Sequence, residues 1–426
     1  MAITLYPPLG SSSSNAMYVQ LDGNQLDAFG RLRVSNPYTI FDSQARFAAD
    51  PAYSYAVSGS GATAYQTNKS SVNLTVGTAV GKALAQTFRV FPYQPGKSLL
   101  TLQTFTMAAA QSNLVQQVGY FSAQNGIYLQ QSGTGASAVS LNVRTYTSGS
   151  VIETSVTQPN WNVDKFDGTG PSGITLDLTK TQIFWIDIEW LGVGSVRAGF
   201  VINGIFYTAH QFNNANVQTL VYMTTAILPL RYYIEATGTV TGTPSLQMIC
   251  SSVNSEGGYE QVGQPFFASK GTDTTVTTSY VPIVSIRINS SYPGAIVIPA
   301  GVNFLSTATG SNYYTLALVK NATLTGATWA STMASGQVDV DTAATALTAP
   351  TADQIVQLDY VASSNQAKGS LAAPTGYNYD LQLGYAASLS NANGFASTSD
   401  TYTLCAKVQS GSATGIGFIQ FWDLTV

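Results

Sequence analysis

The sequence predicts an all-β protein: a β-sandwich, jelly-roll-like body with an N-terminal arm and a second, smaller C-terminal β-sandwich. Three observations predict it. Apolar and polar residues alternate with period two along much of the chain, and helical periodicity is nearly absent. Turn signals such as "SGTGAS", "TSGS" and "TATGSN" separate the alternating runs, at the spacing of short antiparallel strands. Charged residues make up 9% of the 426, against about 25% in an ordinary globular protein. Ser, Thr, Gly, Asn, Gln and Tyr take their place. That mix suits sheets with uncharged polar faces and short turns rather than Lys- and Glu-bearing surface helices.

Residues 1–45 read as an arm followed by a docking strand. "MAITLYPPLGSSSSNAMY" lacks a basic segment and a long apolar core, so no secretory signal is expected. The serine run suits a flexible or docked arm. In "DAFGRLRVSNPYTIFDSQ", Arg31 and Arg33 fall on one face of an extended strand and Leu32 and Val34 on the other, with Gly30 permitting a turn just before. Two guanidinium groups about 7 Å apart can grip carboxylates or carbonyls of a neighbouring subunit. The alternative is an edge strand whose solvated arginines block aggregation.

Residues 46–265 read as the main sandwich. "AVSLNVR", "FWIDIEW" and "SVRAGFVING" each place one apolar row on one face: Val139, Leu141 and Val143; then Phe184, Ile186, Ile188 and Trp190; then Val196, Ala198, Phe200 and Ile202. "PGKS" lacks the first glycine of a phosphate loop. "GTGPSG" at 168–173 has the glycine spacing of a dinucleotide fold, but a strand follows where a helix is required, so it reads as a turn. Asp164, Asp167 and Asp177 match no standard calcium loop.

"WIDIEW" is the strongest catalytic candidate. Asp187 and Glu189 lie two apart on a strand, near the ~5–5.5 Å carboxyl separation of a retaining glycosidase, and Trp185 could stack on a sugar. The competing expectation is a structural pair between these carboxylates and Arg197 across the "LGVGS" turn. His210, the sole histidine, has no "GxSxG" elbow to serve and reads as a packing or hydrogen-bonding residue.

Residues 266–426 read as the C-terminal β domain. "TSYVPIVSIRIN" opens it with Val284, Ile286 and Ile288 on one face. "DLQLGYA" offers Leu381, Leu383 and Tyr385. "GIGFIQFWDLTV" is apolar enough to complete a sheet, and "TAATALTAPTADQIV" can hold a helical turn. Charge shifts at this boundary. Residues 1–300 hold 14 basic and 14 acidic side chains, and 301–426 hold 3 Lys and 7 Asp, which accounts for the net −4. Neither part carries the basic footprint of a nucleic-acid binder. Cys250 and Cys405 form neither a disulfide framework nor a metal cluster and read as buried thiols. No apolar run approaches the ~18 residues of a membrane span. The 24 Tyr suit glycan or protein recognition and subunit interfaces alike.

"LDAFGRLRVSNPYTIFDSQ" resembles the opening of a family of virion structural proteins of tailed bacteriophages, versions of which occur in large algal DNA viruses. The likeness continues through "QPGKS", "GYFSAQNGIYLQ", the long 160–206 segment, "LPLRYYIEATGT" and "SSVNSEGGYE", over roughly residues 20–265. The resemblance implies a particle component and brings no catalytic or binding residues with it. It leads to the expectation of an oligomeric virion protein, a trimer as first guess. Arg31, Leu32, Arg33 and Val34 would dock it to other virion proteins, and the body would contact a host-surface glycan or protein. It is expected to act without enzymatic activity, cofactor, metal, nucleic acid or membrane insertion. It would be made in the host cytoplasm and located on the virion. A capsid or tail decoration (cement) protein and a carbohydrate-active depolymerase are the alternatives, with a cellular lectin-like module as a further rival.

Overall fold

The computed structural model describes residues 4–6, 18–20, 26–28, 32, 36–260, 262–310, 312–331, 336–362, 367–372 and 381–425. It is all-β, as the alternation predicts. By its contacts the chain divides into two units. Unit 1 holds residues 1–86 and 93–259, and unit 2 holds 87–92 and 260–426. No helix among the described residues is long and apolar enough to cross a membrane.

In unit 1, the short strands β1 (Thr4–Tyr6) and β2 (Tyr18–Gln20) pair with each other. Two antiparallel sheets form the sandwich. One runs in the order β12 (Ile152–Thr157), β11 (Val139–Thr145), β10 (Gly126–Ser132), β9 (Leu114–Phe121), β16 (Leu230–Ala236), β7 (Gly81–Thr87) and β4 (Tyr53–Gly59). The other runs β15 (Ile205–Phe212), β14 (Val196–Ile202), β13 (Gln182–Ile188), β8 (Ser98–Thr106), β17 (Ser245–Glu256), β6 (Ser71–Thr75) and β5 (Ala62–Gln66). Strand β3 (Tyr38–Gln44) pairs with the far half of β17. Alternate side chains point inward: Phe184, Ile186 and Ile188 of β13, and Val118 and Tyr120 of β9, are buried between the sheets. Gln103 of β8, in register with Phe184, reaches the Arg231 carbonyl of the opposite sheet at 3.2 Å and marks the same inner face.

Two bulges reset this alternation. In β17 the register against β8 shifts between Met248 and Cys250. Leu246 and Met248 point in, then Ser251 and Val253 do, and Cys250 is turned outward. The expectation of a buried Cys250 is corrected on that ground. The second bulge lies between β14 and β15. Ala198 faces His210 and Gly199 faces Thr208, leaving Ala209 without a partner residue. A Cβ at Gly199 would sit 1.9 Å from the Tyr207 carbonyl oxygen, so only glycine admits this close approach.

In unit 2, one sheet runs β18 (Gln264–Ser269), β31 (Ala413–Asp423), β21 (Val297–Ser306) and β27 (Lys368–Ala372), with β19 (Thr274–Val276) also on β31. The other runs β24 (Val338–Asp341), β20 (Val281–Ile288), β30 (Thr401–Val408), β22 (Tyr313–Lys320) and β26 (Ile355–Ala362). Two short pairs accompany them: β23 (Leu324–Thr325) with β25 (Ala346–Leu347), and β28 (Tyr385–Ala387) with β29 (Phe395–Ser399). The C-terminal run becomes the central strand β31, and its glycines have a reason. A Cβ at Gly415 would meet the Phe304 ring at 2.1 Å, and one at Gly417 would meet Leu404 at 2.7 Å. Cys405 is buried as expected. Its thiol donates to the Ala317 carbonyl at 3.4 Å, and burial pushes its pKa up to about 12.

Three further expectations meet the structure here. Leu381, Leu383 and Tyr385 are buried, but the segment joins no ladder until β28. Its Leu383 amide bonds the Val297 carbonyl and its Tyr385 amide the Phe88 carbonyl. Gln382 donates to the Val90 carbonyl at 3.1 Å. These bonds hold residues 87–92 in unit 2. The helical turn expected in 342–356 is a single 3₁₀ turn, Ala352–Gln354, with the Thr351 amide donating to Gln354 Oε1. Phe266 and the rest of β18 belong to the β31 sheet, so a C-terminal fragment cut at residue 270 would lack one of its strands.

Gly199→Ala is expected to destabilise unit 1 by about 1–3 kcal/mol, the cost of overpacking a filled site, with a large amide shift at Ala209. Urea unfolding and an amide correlation spectrum check this. A neutral result would mean that the bulge tolerates a side chain.

Candidate functional site

Three places carry chemistry. The first is the predicted carboxylate strand. Asp187 and Trp185 lie one residue out of phase with Phe184, Ile186 and Ile188, so they point away from the inter-sheet core. Asp187 is nonetheless 0% exposed. The Ser98 hydroxyl donates to its Oδ1, and Arg197, its register partner on β14, donates to its Oδ2 at 2.6 Å. The Arg197–Asp187 pair is the Asp187 half of the pairing expected across the "LGVGS" turn; Glu189 lies just past the end of β13, where its amide donates to the Ser195 carbonyl at 3.0 Å. Arg197 also donates to the Leu26 carbonyl at 2.6 Å, which holds this part of the N-terminal segment against the outer face of β13 and β14. Trp185 is buried beside Phe206 rather than open for stacking. Both Asp187 oxygens are thus engaged, and Asp187 does not stand in a groove.

Of the predicted docking residues, Arg31, Arg33 and Val34 lie outside the described residues. Leu32 is 52% exposed and forms an antiparallel bridge with Leu26.

The aspartates of the 164–177 segment serve separate turns. Asp164 accepts from the Phe166 and Ser172 amides, Asp167 from Thr169, and Asp177 from Thr179. Gly170 is needed because a Cβ there would lie 2.1 Å from Asp164 Oδ1. "GTGPSG" is a turn, with Gly168 and Gly173 at positive φ. Lys97 of "PGKS" donates to Gln94.

The second place was not legible in the sequence. A cleft of about 570 Å³ opens in unit 1 between the edge strands of the two sheets, β11–β12 on one side and β15 on the other. The β15 bulge builds it. Ala209, freed from the ladder, accepts from the Val163 and Asp164 amides at 3.2 and 3.0 Å. That brings Asn162 alongside β15, where its side chain pairs with both backbone groups of Gln211 at 2.9 Å. Its own amide donates to His210 Nδ1 at 3.2 Å.

Val143, His210, Phe212 and Tyr222 form the buried floor of the cleft. The 213–222 loop lies along it and is tied at several points. Asn214 donates to the Gly194 carbonyl, the Tyr222 amide to Gly192, and just beyond the loop the Thr224 amide to Asn125. Among the described residues lining the cleft, none is charged.

With Nδ1 accepting, the neutral His210 ring carries its proton on Nε2. Burial lowers its pKa from 6.5 to about 4.

The third place is a face of unit 2. On β31, Gly415, Gly417, Ile419 and Phe421 point inward, so Ile416, Phe418 and Trp422 lie on the opposite face. Phe267 of β18 is 65% exposed there, in edge contact with Phe418, and Leu305 of β21 is exposed beside Ile416. Two apolar grooves of about 280 and 410 Å³ run over this face and share Ser269 and Phe418.

No family model and no curated protein matches the sequence. Solved structures resemble the fold. A Bacillus licheniformis β-glucanase shares 9% identity at a TM-score of 0.33, over 51% of this chain and 99% of that one. Peanut lectin shares 12% at 0.29, over 52% and 98%. The Crh5 transglycosylase shares 14% at 0.32, over 53% and 89%. The likeness is one of fold: all-β, jelly-roll sandwich. The expectation that the chain is not an enzyme is corrected here. Glucanase and transglycosylase chains stand among the similar structures.

Asp187→Asn removes the charge that balances the buried Arg197 and is expected to cost about 3–5 kcal/mol, as for breaking a buried pair. Denaturant unfolding measures it, and a cost below about 1 kcal/mol would show that solvent reaches the pair. His210, as the sole histidine, gives a single ring signal in NMR. It should titrate near pH 4. The folded ring stays neutral where the unfolded one takes up a proton, so unit 1 should lose stability as pH falls from about 6.5 to about 4, with no further loss from this group below that. A ring titrating near 6.5 would contradict the buried geometry.

Proposed function

We propose that the chain is a virion structural protein, an oligomeric surface or tail component anchored through its N-terminal arm and contacting the host surface. The observation that carries this reading is the apolar outer face of the β31 sheet. Phe267, Leu305 and Phe418 would meet water together in an isolated copy. Exposed patches of this kind mark interaction sites. A chain with 9% charged residues has little repulsion to keep such faces apart. The resemblance of residues 20–265 to virion proteins supplies the context, and a homo-oligomer with other virion proteins as neighbours is the assembly proposed.

A decoration or cement role would use the same face to strengthen the particle. The carbohydrate-active alternative needs a carboxyl pair, which the described lining of the unit 1 cleft does not supply, and is tested by reducing-end release from host polysaccharide.

Mass spectrometry of purified particles should find the chain as a stoichiometric component. Its absence from particles would end the virion reading. The double variant Phe267→Ser, Phe418→Ser should stay folded by circular dichroism and lose at least tenfold in incorporation. Particles lacking the chain should lose host adsorption but keep their heat resistance, whereas heat lability with normal adsorption would mark the cement role.

A further inference from the structure

The unit 1 cleft carries more hydrogen-bonding capacity than the fold uses. Thr154, Gln218 and Thr219 line it, and their side chains form no hydrogen bond with the described residues. His210 spends Nδ1 on Asn162 and keeps its Nε2–H for the cleft. Beside these groups, Ile152, Leu220 and Val221 are exposed at the lining.

We propose that this cleft binds an uncharged oligosaccharide, one without carboxylate, sulfate or amine groups. The inference rests on the host-contacting reading for its purpose and on the cleft alone for its chemistry.

Hydroxyl and amide side chains each donate and accept, as sugar hydroxyls do. The apolar side chains suit the C–H faces of a pyranose ring. Among the described lining residues none carries charge, so a carboxylate, sulfate or ammonium group would give up water without gaining a counter-charge. The volume falls within the range of about 300–1,000 Å³ seen for ligand sites. The shape is set before a ligand arrives. The Asn162–Gln211 pairing fixes one wall, and the bonds of Asn214 and Tyr222 to the 192–194 turn fix the loop. A rigid site loses less ordering entropy on binding.

The cleft does not include Asp187 or Trp185, which lie in the opposite phase of the sheet from His210 and Phe212 on its floor. Occupancy of the cleft therefore leaves the buried Arg197 pair untouched.

The test uses the purified full chain, so it does not depend on particle incorporation. The probes are maltohexaose, cellohexaose and mannohexaose as neutral ligands, with hexagalacturonate and chitosan hexamer as acidic and cationic controls. Binding is read by isothermal titration and by the single His210 ring signal. At least one neutral hexamer should bind and shift that signal, and the charged hexamers should bind at least tenfold more weakly. Thr154→Val and Gln218→Leu, both at exposed positions, should each weaken binding at least fivefold with unchanged thermal stability. The proposal fails if no neutral hexamer binds the folded chain, if a charged hexamer binds best, or if binding ignores both variants and the His210 signal. Loss of particle incorporation alone would bear on the virion reading and not on this one.

Discussion

The carbonyl of one unpaired residue organises the outer half of unit 1. Ala209 has no partner on β14, because Gly199 lets β15 approach too closely for a regular ladder. Its oxygen is buried in the fold and must be satisfied. The Val163 and Asp164 amides do this, and the whole 158–180 excursion is thereby fastened to the sheet edge. Everything in the cleft follows. Asn162 reaches Gln211, His210 Nδ1 accepts a hydrogen bond from the Asn162 amide, and burial keeps the ring neutral. A regular β15 would leave the excursion without this tie, held by the Met107–Leu178 bond and the buried Phe166 against Phe200.

A second constraint acts on the far side of that sheet. Asp187 and Arg197 are placed by register on a face that would ordinarily be solvated, yet both are buried. A buried pair adds little to stability compared with well-packed apolar residues, but losing one member is costly. Here the pair also binds the Leu26 backbone. It therefore converts sheet register into a fixed position for the start of the chain. The arm read from sequence as a device for gripping a neighbour is, at this point, engaged by its own unit.

The sequence made the fold class readable because period-two alternation survives wherever strands are regular. Val284, Ile286 and Ile288 are all buried as their spacing implies. The Asp187–Arg197 pairing was legible for a similar reason, since a short turn fixes hairpin register. What failed were the places where the period breaks. "LQMICSSV" carries such a break, with Leu246 and Met248 in one phase and Val253 in the other. Cys250 falls at the reversal and turns outward. "FYTAHQF" shows no comparable signal, because Ala209 is small enough to fit either phase. The cleft was illegible for a different reason. Its lining comes from residues 143–154, Asn162 and residues 210–222, and only the tertiary closure of two sheet edges brings them together. The outward apolar face of unit 2 lay in plain view as "GIGFIQFW", but a run apolar on both faces does not say which face remains open.

The central place of β31 has a kinetic consequence. It pairs with β18, β19 and β21, so three strands share one partner that is translated after all of them. Some 144 residues separate the end of β18 from the start of β31. At about 5–20 residues per second, β18 leaves the ribosome roughly 7–30 s before its partner exists. During that interval Phe266 and Phe267 belong to an unpaired edge. The pairings that run through β31 must then form late, although β21 and β27 can pair beforehand. Their yield would be governed by what keeps nascent edges apart, such as a chaperone or slow local synthesis, more than by the stability of the finished sheet.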